Sequence, residues 1–324
     1  MGIELGRRVS IDPEIEEFVT RFDEAMYEPG LDIQELRRRY STLLLEQGAA
    51  PNYVPTRELE IPTRHGTISA RLYRPEGQSF PPLLVYLHGG GFMVGDHASL
   101  DVPLHRVSRD AGIAILSLGY ALSPEHIYPV ALEQCEDALS WASTNCEDLG
   151  AGSRIGVAGD CSGGNLAALL ALKSRDAGRP PLAWQAMINP VLDFPGVANK
   201  ATKSHSIYAD GPILKHELMM FFMQCYFPTD AARIEASPLH RTTLQGLPPA
   251  FVAVAQCDPL RDEGLAYAER LTRSGCSVVS RLYPGLPHNF ITMSHLSRVV
   301  RGFLGDFAAA ARFALHGDVL VEWI

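Results

Sequence analysis

A chain of 324 residues that is 46% hydrophobic and 20% charged carries enough apolar surface to bury a large core, which excludes a disordered polymer. With 28 Lys and Arg against 37 Asp and Glu, its formal charge of −9 would repel a polyphosphate backbone, so nucleic acid is not an expected partner. The longest apolar runs, Leu83–Leu87 and Ile113–Leu118, are strand-sized and far short of the roughly 18 residues of a membrane span, so no stable membrane insertion is expected.

The first residues, Met1 to Arg8, lack an apolar signal core and a small-residue cleavage site, and Gly6 stands where a myristoylation signal has Ser or Thr; a cytoplasmic location is the resulting expectation. From Pro13 to Gly48, apolar residues recur three and four apart (Ile15, Phe18, Val19, Phe22 and Met26, then Ile33, Leu36, Tyr40 and Leu43), which predicts two amphipathic helices broken at Pro29-Gly30. Beyond Pro51 the period changes to two. Leu59 with Ile61, then Ile68, Ala70 and Leu72, alternate with polar residues as half-buried antiparallel strands do. Near-continuous apolar runs follow at Leu83–Leu87, Ala114–Leu118, Ile155–Ala158, Ala183–Ile188, Ala250–Ala255 and Val278–Tyr283, separated by helical patterns at Val130–Cys146, Gly164–Arg175, Glu263–Ser274 and Leu296–Phe313. That rhythm predicts an α/β fold whose mostly parallel sheet is covered on both faces. The stretch Asn189–Pro248, rich in Met and aromatic residues, interrupts it and has the length of a functional lid.

Gly159-Asp160-Cys161-Ser162-Gly163-Gly164 follows the strand Ile155–Ala158 and opens a helix, the strand-turn-helix setting of a nucleophile elbow, G-x-S-x-G. The glycines two positions either side of the centre put Cys161, not Ser162, at the nucleophile position; centring on Ser162 would require glycine where Asp160 stands. His88-Gly89-Gly90-Gly91-Phe92 follows another core strand, where successive glycine N–H groups can turn toward a developing oxyanion; Gly89, Gly90 and the N–H of Ser162 are the expected donors. His88 reads as a structural hydrogen-bonding residue. A hydrolase triad then needs an acid and a histidine after later strands: Asp258 follows Phe251–Ala255, and His288 follows Val278–Tyr283. Asp262 is the rival acid, but at the start of a helix its charge is already explained by the helix dipole. The six cysteines lack paired or finger spacing, and no His/Cys/Asp cluster has metal-ligand spacing.

With these motifs in order, the chain resembles the hormone-sensitive-lipase-like α/β-hydrolases, bacterial lipolytic family IV. Tyr120-Ala121-Leu122-Ser123-Pro124-Glu125 and Ser237-Pro238-Leu239 before Gly246-Leu247-Pro248-Pro249-Ala250 also match that family's pattern, and the resemblance runs from about Val54 to the last helix. It implies an eight-stranded α/β-hydrolase core in two parts, residues 51–188 and 249–324, with a cap built from N-terminal helices within residues 1–50 and an insertion at 189–248. It also implies no metal or organic cofactor, hydrolysis of short-chain or aryl carboxylic esters as small-molecule substrates, and family members that are often homodimers. The family's elbow carries Ser where this chain has Cys161, either as a natural thiol variant or as a serine changed to trap an acyl intermediate. An unperturbed thiol ionises near pH 8.5 and a paired imidazole activates it further, so a Cys161-His288-Asp258 triad is chemically sound, with weak turnover and deacylation as the impaired step. Tyr208, Phe221 and Phe222 of the lid are candidates for an apolar substrate pocket. The triad leaves amide or lactone hydrolysis open, and a non-catalytic ligand-binding role is the alternative of a different class.

Overall fold

The computed structural model describes residues 9–28, 30–45 and 54–317. The reading of Met1 to Arg8, the break at Pro29 and the helical reach to Gly48 lie outside them. Two amphipathic helices, α1 (Glu16–Met26) and α2 (Ile33–Leu45), bury Phe18, Val19, Phe22 and Met26 and then Leu36, Tyr40, Leu43 and Leu44. The strands β1 (Thr56–Thr63), β2 (Gly66–Tyr73), β3 (Leu83–Leu87), β4 (Ala114–Gly119), β5 (Ile155–Asp160), β6 (Leu182–Ile188), β7 (Ala250–Cys257) and β8 (Val278–Pro287) form one eight-stranded sheet in the order β1-β2-β4-β3-β5-β6-β7-β8. Only β2 runs against the others, pairing antiparallel with β1 and β4. The half-buried alternation at Leu59–Ile61 and Ile68–Leu72 therefore marks the wet edge of the sheet, and the continuous apolar runs mark its parallel interior.

Alternation along the central strands feeds two cores. Leu83, Val85 and Leu87 of β3 face one, which is closed by α4 (Val130–Thr144), α5 (Ser162–Ala177) and α10 (Arg261–Arg273) through residues such as Leu132, Leu166 and Leu271. Leu84 and Tyr86 face the other, closed by α3 (Asp101–Ala111) and α11 (Arg298–His316) through Leu104, Val107, Phe303 and Phe307. Each buried Leu or Phe of this kind contributes about 1.5–3 kcal/mol relative to an exposed one. The helix α3 carries no long period in sequence, yet Leu104, Val107 and Ala111 bury one face of it and Gly112 ends it in the left-handed conformation. Between β6 and β7 the long segment folds into four short helices, α6 (Phe194–Ala198), α7 (Lys203–Ile207), α8 (His216–Tyr226) and α9 (Asp230–Glu235). The carboxyl ends of β3, β5, β7 and β8 lead into the glycine loop, the elbow, the Asp258 turn and the His288 turn, the edge where open α/β sheets hold their ligands.

Candidate active site

β5 ends at Asp160 and α5 starts at Ser162, so Cys161 alone makes the turn, with φ 52° and ψ −118°. A side chain in the left-handed region is strained and persists only where its surroundings hold it. Here the Cys161 N–H donates to the Ile188 carbonyl at 2.9 Å and its own carbonyl accepts the Asn165 N–H at 3.1 Å. The flanking glycines are required by contact: a Cβ on Gly163 would overlap the Leu87 carbonyl, and one on Gly159 would overlap the Gly163 backbone.

The elbow delivers Cys161 to His288. His288 Nδ1 and Asp258 Oδ2 lie 2.8 Å apart with both residues buried, and the other Asp258 oxygen accepts the Leu260 N–H at 2.8 Å. With Nδ1 committed to Asp258, Nε2 remains for the Cys161 side chain, which hydrogen-bonds the imidazole. Burial alone would push the imidazole down, but the Asp258 carboxylate and the Cys161 sulfur outweigh it and hold His288 well above the usual histidine range. Asp262, the rival acid, is turned away: its carboxylate takes the Ser204 N–H at 2.8 Å and the Arg261 guanidinium at 2.8 Å.

Gly89 lies against the buried Asp160 carboxyl and its backbone hydrogen-bonds it, while Gly90 and Gly91, both at positive φ, line the space around Cys161. The close approach of Gly89 to Asp160 leaves no room for a Cβ there, which by itself requires glycine at that position. Asp160 also accepts the Tyr86 hydroxyl at 2.9 Å, and burial raises its pKa to about 6. His88 is a structural residue: its Nδ1 lies 2.7 Å from the Gly89 carbonyl, its ring stacks on Tyr120 at 4.3 Å, and burial lowers it to about 4, so it is neutral at pH 7.

Two cavities meet at Cys161. One is walled by apolar side chains, among them Val191, Phe194, Leu214, Met219, Met223 and Leu260. The other is walled by Phe22, Met26 and Tyr40 from the N-terminal helices and by Leu218, and His288 and Asn289 also line it. Phe222 and Gly91 border both, and the Phe222 ring lies so close over Gly91 that a Cβ on the glycine would overlap it. Of the three lid residues expected to line a pocket, Phe222 alone lines these two. Phe221 is 44% exposed, because consecutive positions on α8 point about 100° apart. Tyr208 is buried elsewhere, its hydroxyl accepting the Val9 N–H at 3.3 Å. The sequence reading missed Tyr40 and Asn289, whose amide donates to the Tyr40 hydroxyl at 3.2 Å; the adjacency of Asn289 to His288 was the available signal. Among the described residues, no group of three or more His, Cys, Asp or Glu is arranged to hold a metal ion, and no helix is long and apolar enough to cross a membrane. Cys135, Cys146, Cys161, Cys225 and Cys276 carry free thiols.

A family model described as the alpha/beta hydrolase fold matches residues 84–292. The chain belongs to this α/β-hydrolase family. Carboxylic ester hydrolase LipN of Mycobacterium tuberculosis is 38% identical over 255 residues, covering 75% of this chain and 66% of that protein, so the chain spans just under two thirds of LipN. Ethyl acetate hydrolase of Pseudomonas putida is 35% identical over 280 residues, covering 82% of this chain and 85% of that one. The solved hyperthermophilic esterase of Pyrobaculum calidifontis superposes on the hydrolase with a TM-score of 0.85 at 31% identity, covering 94% of this chain and 98% of that chain. These relatives agree with the resemblance to the hormone-sensitive-lipase-like group drawn from the motifs.

Proposed function

We propose that the hydrolase cleaves short-chain or aryl carboxylic esters through an acyl-thioester on Cys161. The observation that carries this reading is the buried chain of contacts from Cys161 through His288 to Asp258 at the junction of two apolar cavities. His288 takes the thiol proton, the sulfur attacks the ester carbonyl, and Asp258 orients and stabilises the imidazolium. The N–H groups of Gly90, Gly91 and Ser162 receive the tetrahedral oxyanion, while Gly89 holds the loop in place through Asp160. The imidazolium then protonates the departing alcohol, and water activated by His288 cleaves the thioester. The cavity under α8 accepts the acyl chain, since its walls are apolar; the cavity beside His288 accepts the alcohol portion, since the leaving oxygen must reach the imidazolium. On this reading α1, α2 and the segment 189–248 together form a cap over the site.

Stopped-flow mixing with p-nitrophenyl butyrate tests the mechanism. Fast release of p-nitrophenol in an amount matching the enzyme, followed by slow turnover, is the expected trace, and Cys161→Ala abolishes the fast phase. A Cys161→Ala enzyme that retains the burst overturns it.

A further inference from the structure

We propose that the acyl group on Cys161 is passed to an uncharged aromatic amine in the cavity beside His288, so that the hydrolase forms anilides as well as carboxylic acids. This rests on the thioester reading above. A thiolate is a far weaker base than an alkoxide and leaves more readily. When an amine adds to an oxoester, the tetrahedral intermediate tends to expel the amine again; when it adds to a thioester, the thiolate leaves and the amide is formed. Replacing serine by Cys161 at the elbow therefore tilts the acyl-enzyme from water toward amines by chemistry alone.

The geometry supplies the acceptor site. The second cavity is lined by both Cys161 and His288, and it shares Cys161, Gly91, Leu214 and Phe222 with the acyl cavity, which His288 does not line. Its rings and thioether, Phe22, Tyr40, Phe222 and Met26, suit a flat apolar molecule, and the side chain of Asn289 with the Tyr40 hydroxyl offers a small polar spot beside the imidazole. Among the described residues no carboxylate lines this cavity, so an alkylammonium would be desolvated there without a partner from them, whereas an arylamine is uncharged at pH 7 and enters without that cost. Once the leaving alcohol has departed, the amine nitrogen attacks the thioester carbonyl, and His288 accepts one N–H proton. The C–S bond then breaks, the anilide departs, and the proton on His288 returns to the Cys161 sulfur. No oxidant, reductant or cofactor enters the balance.

The test supplies p-nitrophenyl butyrate as donor and p-toluidine as acceptor to the full chain at pH 7, with quantification of N-aryl butyramide and butyrate by liquid chromatography, and with the butyryl group on the protein located by peptide mapping. Butyryl-Cys161 together with an anilide-to-acid ratio that rises in proportion to p-toluidine is the expected result. Cys161→Ser lowers that ratio, and Met26→Trp, which fills the second cavity, lowers it by about tenfold through loss of acceptor positioning. Butyryl-Cys161 that yields butyrate alone, or a ratio identical in the Cys161→Ser enzyme, overturns acyl transfer and leaves the thioester mechanism standing. Absence of butyryl on Cys161 overturns the thioester mechanism itself.

Discussion

Asp160 offers a perturbation whose size follows from its surroundings. Its carboxyl is buried behind the elbow, bonded by the Tyr86 hydroxyl and the Gly89 N–H, and burial raises its pKa from 3.8 to about 6. The folded chain thus binds this proton more tightly than the unfolded chain. Below about pH 4 the group is protonated in both states and has no effect; as pH rises to about 6, stability is lost, and the full cost persists above that. At about 1.36 kcal/mol per pH unit, the cost at pH 8 is roughly 3 kcal/mol. Asp160→Asn keeps an oxygen for the Gly89 N–H and removes the charge. Its stability relative to the parent should therefore improve by roughly 3 kcal/mol between pH 4 and pH 8, whatever fixed offset the altered hydrogen bonds add. Urea unfolding of both proteins at four or five pH values measures the trend. Acylation should remain within about tenfold of the parent for Asp160→Asn, and fall by about a hundredfold for Asp160→Ala, where the glycine loop loses its anchor. A stability difference that stays flat across this pH range refutes the account of Asp160 as a buried carboxyl destabilised by its own charge.

Four further substitutions have outcomes set by their surroundings. Gly163→Ala forces a Cβ into the Leu87 carbonyl and should abolish soluble folded protein or cost several kcal/mol, whereas Gly302→Ala, in open space on α11, should stabilise by about 0.5–1 kcal/mol in urea unfolding. His205 and Glu263 form a fully buried pair at 2.8 Å, and Ser204 donates to the Pro259 carbonyl beside the catalytic-loop acid; His205→Ala should cost about 3–5 kcal/mol and slow acylation, read by unfolding and by the p-nitrophenol burst. Phe222→Ala opens the boundary between the two cavities and should shift the kcat/KM optimum across a series of p-nitrophenyl esters toward longer acyl chains, at a stability cost of about 3 kcal/mol.

The parts of this molecule legible in the sequence are those set by short-range pattern. The elbow could be read because Gly159 and Gly163 stand at fixed offsets either side of Cys161, although the contact that demands Gly163 comes from Leu87 on the neighbouring β3, and the parallel strands could be read because their apolar runs are continuous. Asp258 could be told from Asp262 because the latter falls in the first turn of α10, where its charge has a structural use. What could not be read depends on residues far apart in the chain. The second cavity joins Phe22 and Tyr40 to Asn289, more than 240 residues apart, and no local period announces that meeting. The contact between Gly89 and the buried Asp160 carboxyl joins two different strand ends, and motif order is blind to it. Phe221 and Phe222 differ only by the turn of a helix whose placement the sequence left undrawn.

The central claim is that Cys161 carries the acyl group, and intact-mass analysis with peptide mapping after brief exposure to p-nitrophenyl butyrate tests it most directly, with Cys161→Ser and Cys161→Ala alongside. The account predicts one butyryl group on the peptide containing Cys161, a serine form that acylates at the same position and turns over faster, and no adduct in the alanine form. Turnover of the ester by the Cys161→Ala protein, or an adduct located on another residue, would contradict it.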